Sequence, residues 1–157
     1  MSTPSLSDLP ILNFPHYEFR IMEEKGQLKI FDLVRKKYVA LTPEEWVRQH
    51  LIHYLHKDKD YPLGLMMVEK EFKLHTLTKR ADIVVCSRDG NPLLMVECKS
   101  ANVEITQDVL DQIMRYNLIM NVATVILSNG LKHFCFQLDT PNQTYIALAE
   151  IPRWEKQ

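Results

Sequence analysis

Two apolar runs, Arg80-Ala81-Asp82-Ile83-Val84-Val85-Cys86 and Leu93-Leu94-Met95-Val96-Glu97-Cys98-Lys99, flank the segment Arg88-Asp89-Gly90-Asn91-Pro92, and no other feature restricts the fold as much. Asp-Gly between such runs is a strong signal for a two-residue β-hairpin turn. With Asp89-Gly90 as the turn, Arg88 faces Asn91, and counting back along the ladder sets Asp82 directly opposite Glu97 with both side chains on one face. Directly opposed residues have Cβ atoms about 4.5–5.5 Å apart, where two carboxylates repel unless a cation lies between them. Strand periodicity adds Lys99 to the face of Glu97. A three-residue loop would break this register.

Val84, Cys86, Leu93 and Met95 share that face, and Ile83, Val85, Leu94 and Val96 line the other. A strand pair apolar on both sides belongs in the centre of a sheet covered by helices, so the acids fall at the rim of a core. Burial there makes unpaired carboxylates costly. Two acids and a lysine converging at such a rim can hold a divalent metal beside an activated water. An isolated acid-x-lysine match on a surface hairpin would carry no such weight; the register and the apolar faces supply it. Coincidence in an unrelated α/β domain would show itself as Asp82 and Glu97 pointing to opposite faces.

A chain of 157 residues is read as one domain, burying about two thirds of its unfolded surface. With 46% hydrophobic and 25% charged residues it has a soluble globular composition, and no apolar stretch approaches the ~20 residues a bilayer span requires. Met1-Ser2-Thr3-Pro4-Ser5 lacks the basic and apolar regions of a secretory signal, so a cytoplasmic protein without membrane contact is expected. Cys86, Cys98 and Cys135 are odd in number, far apart and set in apolar runs, which reads as buried thiols rather than disulfides or a zinc knuckle. A net charge of −1 argues against DNA being gripped by phosphate neutralisation alone, so any DNA binding must be local, weak or shared with partners.

Residues 1–15, with Pro4, Pro10 and Pro15, read as a partly disordered arm outside the core. Residues 16–41 read as a β appendage of three short strands with turns near Lys25-Gly26 and Arg35-Lys36. Thr42-Pro43-Glu44-Glu45 opens a helix to about His56, with Thr42 as cap, Pro43 at the first position and Glu45 as capping-box partner. Glu44 begins the stripe Val47, Leu51, Leu55; taken alone it is a first-turn acid complementing the helix dipole. A strand from Leu65 to Leu74 precedes the hairpin, a second helix runs from Thr106 to about Met120, and strands follow at Ala123–Leu127, His133–Gln137 and Thr144–Ile151. Residues 42–151 thus form the core and 152–157 a tail. The fold class is α/β, in the order helix, three strands, helix, strand, with a mixed central sheet flanked by helices. His50, His53 and His56 read as a polar helix face, because three-residue spacing drifts around a helix and no strong partner ligand lies nearby in sequence. Lys57, Lys59, Lys70, Lys73, Lys79 and Arg80 form a loosely basic stretch, open to phosphate contact or simply solvated, and exposed lysines are usually solvated.

This order, with an acid in one strand and Glu-x-Lys in the next, resembles the restriction-endonuclease-like PD-(D/E)xK nuclease superfamily, and within it the N-terminal nuclease domain of type I restriction enzyme R subunits. The resemblance is carried by Leu41-Thr42-Pro43-Glu44-Glu45-Trp46-Val47-Arg48-Gln49, Arg80-Ala81-Asp82-Ile83-Val84-Val85, Val96-Glu97-Cys98-Lys99, Gln112-Ile113-Met114-Arg115-Tyr116-Asn117 and Leu127-Ser128-Asn129-Gly130. It implies a metal-dependent nuclease acting on DNA, in which Asp82, Glu97, Glu44 and the backbone carbonyl of Cys98 hold Mg²⁺ or Mn²⁺ while Lys99 orients or activates the attacking water. It also implies that Gln112 and Tyr116, matching a Gln-x-x-x-Tyr element, lie beside the site near substrate; their spacing puts both on one helix face. Without the resemblance Tyr116 is a core aromatic with its hydroxyl at the surface. The superfamily's proline before the first acid is Ala81 here. No Walker sequence is present, so the chain is expected to lack a translocase motor and to cut alone, as a homodimer or with a separately encoded partner. The competing reading is a non-cleaving, nuclease-fold DNA-binding or adaptor subunit.

Overall fold

The computed structural model describes residues 5–74 and 76–155. β1 (Ile21–Glu24), β2 (Gln27–Asp32) and β3 (Lys37–Ala40) form a separate antiparallel meander. Its turns rest on left-handed backbone at Lys25, Gly26 and Lys36. α1 (Pro43–Lys57), β4 (Met66–Leu74), β5 (Leu77–Cys86), β6 (Pro92–Cys98), α2 (Gln107–Met120) and β7 (Thr124–Ser128) follow in the expected order. β8 (His133–Asp139) and β9 (Thr144–Leu148) complete a six-stranded sheet ordered β4-β5-β6-β7-β8-β9. Among the described residues only β6 and β7 pair in parallel, as the α2 crossover between them requires. The sheet is therefore mixed.

The helices begin where their caps dictate. Thr42 Oγ1 accepts a hydrogen bond from the Glu45 amide at 3.0 Å, and Thr106 Oγ1 from the Val109 amide at 3.3 Å. Asn121, left-handed at φ 57°, closes α2. Val47, Leu51 and Leu55 of α1 bury against Ile83, Val85, Leu94, Val96 and Ile126 on one side of the sheet. Leu110 and Ile113 of α2 bury against Val84, Met95, Val125 and Leu127 on the other. The central strands are covered on both faces, which is why their sequences run apolar without interruption.

The β5–β6 hairpin reaches the expected register by a different route. Ser87 N donates to Asn91 O at 2.8 Å and Gly90 has φ +88°, so Arg88-Asp89-Gly90 is a three-residue loop. Cys86 then pairs with Pro92 while Val85 pairs with Leu94, leaving Leu93 as a bulge. The odd residue of the loop is cancelled by the odd residue of the bulge. Ile83 faces Val96 and Val84 faces Met95, the register that the two-residue turn also gives, and the ladder ends at Ile83–Val96.

Two expectations need correction. The lead-in does not stay outside the core: Leu12 is buried, Phe14 packs beside it, and Asn13 N donates to Gly130 O at 2.8 Å. Residues 1–4 lie outside the described residues. Gly130, at φ +86°, is what admits Leu12, since a Cβ there would come within 2.8 Å of Leu12 Cδ2 and 3.1 Å of Val47 Cγ2. The histidines of α1 are likewise not a polar face. His50 and His53 are buried among Tyr17, Phe19 and Trp46, with Phe19 ring centroids 4.7 and 4.6 Å from theirs. Their Nδ1–H groups donate to the carbonyls of Trp46 and Gln49, both at 2.8 Å, which lets the rings bury without an orphaned donor. Phe14, Tyr17 and Phe19, ahead of β1, supply the covering that could not be read from α1 alone.

Gly130→Ala combines a left-handed alanine with a clash against Leu12 and Val47, and is expected to cost about 1–3 kcal/mol in urea unfolding. Burial holds the His50 imidazole down at about 4, and His53 is lowered for the same reason. In the unfolded chain such groups protonate near 6.5. Their contribution is complete above that pH and is lost as pH falls towards about 4, so His50→Phe is expected to flatten the acid limb of the stability curve.

Candidate active site

β5 and β6 part company beyond the Ile83–Val96 pair. β5 continues along β4 and β6 along β7, so the sheet opens into a fork. Asp82 is the first residue past the fork on β5, and Glu97, Cys98 and Lys99 lead out of it on β6. At the fork Cys98 N has lost its β5 ladder partner. Asp82 Oδ2 replaces it, accepting from Cys98 N at 2.7 Å.

The alternation of β5 slips here. Ala81 packs with Val84 and Cys86 beneath α2, whereas Ile83 and Val85 pack beneath α1. On β4, Glu69 opposite the slip drops out of the pairing with φ 56°, a left-handed conformation in mid-strand. Asp82 consequently faces α1, where its Oδ1 accepts from Arg48 Nη2 at 2.8 Å. Glu97 stays on the α2 side, bordering a small cavity with Lys79, Ala81, Met95, Tyr116 and Asn117. The expectation that Asp82 pairs with Glu97 on one shared face is thus corrected: the ladder ends at Ile83–Val96, and the slip turns Asp82 towards α1.

The site has two halves joined through the Cys98 amide. In the α1 half Arg48, its side chain 5% exposed, bonds Glu45 Oε1 through Nη1 at 2.7 Å. Its Nη2 reaches Asp82 and lies 3.4 Å from Glu44 Oε1 and 3.6 Å from Glu69 Oε1. Arg35 bridges Asp32 and Glu45 at 2.8 and 2.9 Å and lies 3.7 Å from Glu69. Gln49 Nε2 donates to both Asp32 and Glu45. Glu45 is therefore not a capping-box partner. Two guanidinium groups are stronger partners for a buried carboxylate than one backbone amide.

In the α2 half Glu97 lies between two ammonium groups, Lys79 and Lys99, each 3.9 Å away. Lys79 also sits over the Tyr116 ring, 5.2 Å from its centroid. The Tyr116 hydroxyl is buried rather than at the surface and has no partner among the described residues. Gln112, one turn earlier, is exposed and makes no side-chain hydrogen bond among them. Sequence reasoning brought together Glu44, Asp82, Glu97, Lys99 and Tyr116, but missed Arg48, Glu69 and Lys79. Arg48 was accessible through its spacing of three and four from Glu45 and Glu44. Lys79 was not, because it shares a face with Glu97 only after the slip.

Six carboxylates (Asp32, Glu44, Glu45, Glu69, Asp82, Glu97) meet four cations (Arg35, Arg48, Lys79, Lys99), an excess of two negative charges with all groups ionised. Burial, then the charge of Asp82, pushes Glu97 up to about 6 against the pull of both lysines. Glu44 is raised by burial and Asp82 as well. Burial opposes the Arg48 charge, but Glu45 and Asp82 outweigh it and hold the guanidinium above its ordinary range. Such carboxylates supply the oxygen donors that hard divalent ions take. In the arrangement seen, no three His, Cys, Asp or Glu side chains among the described residues form a metal-holding group.

The family model for the type I restriction enzyme R protein N terminus matches residues 43–152, from the start of α1 to beyond β9. The chain belongs to that family. The match decides membership independently of where Asp82 points. A fragment structure assigned to an HsdR subunit of a type I restriction enzyme from Vibrio vulnificus YJ016 has a similar fold, with TM-score 0.50 and 21% identity over 72% of this chain and 24% of that one. This family member thus spans about a quarter of that structure's length. The search of curated proteins returned no match. Among the described residues no helix is long and apolar enough to cross a membrane.

Folding raises Glu97 from 4.5 to about 6, so the native state takes up a proton between these values and stability falls as pH rises through them. Glu97→Gln is expected to be more stable than the parent at pH 8, by roughly 1–2 kcal/mol, with the difference vanishing below pH ~4.5, as read from urea unfolding across pH.

Proposed function

We propose that the chain is a metal-dependent nuclease that hydrolyses phosphodiester bonds in DNA, with α1, β4–β6, α2 and β7 as a restriction-endonuclease-like core. One observation carries the reading: Glu44, Asp82 and Glu97 lie with Lys99 around the sheet fork, in a cluster where carboxylates outnumber cations. A divalent cation would offset that excess of charge. The donor chemistry fits Mg²⁺ or Mn²⁺, with Asp82, Glu97, Glu44 and the Cys98 carbonyl as the holding groups. Such an ion supplies charge neutralisation at the phosphate and a more acidic attacking water.

The chain's own groups divide the remaining work. Lys99 Nζ, beside Glu97 and partly exposed, orients the attacking water and stabilises its anion. Lys79 Nζ, at the same distance on the other side of Glu97, offers a second cationic contact to a phosphate oxygen. The unpartnered Tyr116 hydroxyl supplies a hydrogen-bond donor near that phosphate, with Gln112 further out in solvent. On the α1 side an open cleft of about 600 Å³, lined by Arg35, Thr42, Glu44, Arg48, Glu69 and Ser100, gives access to the fork. The near-neutral charge fits a protein that contacts DNA locally, as a homodimer or with a separately encoded partner in the cytoplasm.

A second reading, a non-cleaving DNA-binding or adaptor subunit, is favoured by the Arg48 contact, which already neutralises Asp82. Incubation of supercoiled, linear and single-stranded DNA with Mg²⁺ or Mn²⁺ separates the two. The nuclease reading expects metal-dependent cutting that falls by at least about 100-fold in Lys99→Ala. Lys99→Ala is the deciding variant because Asp82→Ala also strips Arg48 of a buried partner. Absence of cutting by the parent protein on every substrate supports the adaptor.

A further inference from the structure

We propose that Arg48 is an internal substitute for the divalent ion: it holds Asp82 in the α1 half of the site, and the ion enters only when Asp82 exchanges Arg48 for it. The inference rests on the metal-dependent reading above.

Arg48 Nη2 is 2.8 Å from Asp82 Oδ1 and 3.4 Å from Glu44 Oε1, so it sits against the two α1-side carboxylates that the nuclease reading assigns to the metal. In the arrangement seen, with Asp82 turned to Arg48 on the α1 side and Glu97 on the α2 side, no three acid, His or Cys side chains among the described residues form a metal-holding group. The other Asp82 oxygen is fixed by Cys98 N at 2.7 Å, so exchange at Oδ1 does not require the acid to leave the fork. Arg48 also has somewhere to go. Its Nη1 remains anchored on Glu45 at 2.7 Å, and Glu69 Oε1 lies 3.6 Å from Nη2, an acceptor not yet at hydrogen-bond distance. The Arg48 Nε is buried without an acceptor among the described residues. Rotation of Nη2 from Asp82 towards Glu69 therefore keeps the guanidinium on carboxylate partners throughout, with Nη1 still on Glu45.

A guanidinium carries one positive charge and a divalent ion two, so the ion displaces Arg48 when its free concentration is high enough, and the apparent affinity is lowered by the competition. The ordinary alternative, Arg48 as a fixed strut that aims Asp82 at the ion, makes the opposite prediction: removing Arg48 weakens binding. The test is Mn²⁺ binding to the full chain, read from the electron-paramagnetic-resonance signal of free Mn²⁺. Arg48→Met, which keeps volume and removes charge, is expected to bind Mn²⁺ at least tenfold more tightly than the parent. Arg35→Met removes an equal charge from the same carboxylate network without touching Asp82, and is expected to change affinity by much less. Equal or weaker binding in Arg48→Met, or an equal gain in Arg35→Met, overturns the proposal while leaving the metal reading intact. No binding by the parent or Arg48→Met overturns the metal reading and the proposal with it. Should Arg48→Met fail to fold, the parent protein still decides: the Arg48 side-chain NH resonances are expected to shift on Mg²⁺ titration, and resonances unmoved at saturating Mg²⁺ overturn the exchange.

Discussion

The parting of β5 from β6 is the constraint on which the rest of the structure depends. β5 is held along β4 by a long antiparallel ladder and β6 along β7 by a parallel one, and the two ladders continue past the point where β5 and β6 stop pairing. A fork in a sheet exposes backbone groups that would otherwise bond across it. Here a carboxylate meets one of them, Cys98 N, and so a charged side chain is drawn into a place where burial would normally exclude it. The βαβ connection through α2 creates the fork and also covers one side of it.

Around the fork the protein tolerates a concentration of acids that composition alone would not suggest. Arg48 and Arg35 are shared among Asp32, Glu44, Glu45, Glu69 and Asp82, so that no single pair accounts for the arrangement. Removing one partner from such a network leaves a buried charge unmatched, which costs more than forming the pair contributes. The left-handed Glu69 in mid-strand belongs to the same economy, since it is the residue opposite the slip and lies within 4 Å of both guanidinium groups. Strained backbone and raised carboxyl groups meet at one place.

Much of this was legible in the residues. The caps Thr42 and Thr106, the apolar faces of β5 and β6 and the pairing of Ile83 with Val96 all follow from local chemistry and periodicity. What could not be read depended on contacts remote in sequence. The slip at Asp82 comes from the fork and from Glu69 on the neighbouring strand, and strict alternation has no means of anticipating it. His50 and His53 look like a solvated stripe because the rings that cover them, Tyr17 and Phe19, come from a segment remote in sequence that reads as part of the β appendage. Lys79 looked like one more solvated lysine until Tyr116 and Glu97 closed around it.

The hairpin tip illustrates how a fold can reach one arrangement by more than one arithmetic. A two-residue turn with a regular ladder and a three-residue turn with a bulge at Leu93 both place position 83 across from position 96, at the edge of the site. Loop length and site register are therefore decoupled, and the bulge acts as a take-up joint between them. A residue gained or lost at Arg88-Asp89-Gly90 has a neutral path available in which the joint opens or closes while the acids at the far end stay where they are. Variation in the length of this tip is consequently no guide to whether the chemistry at the other end of the strands has been kept.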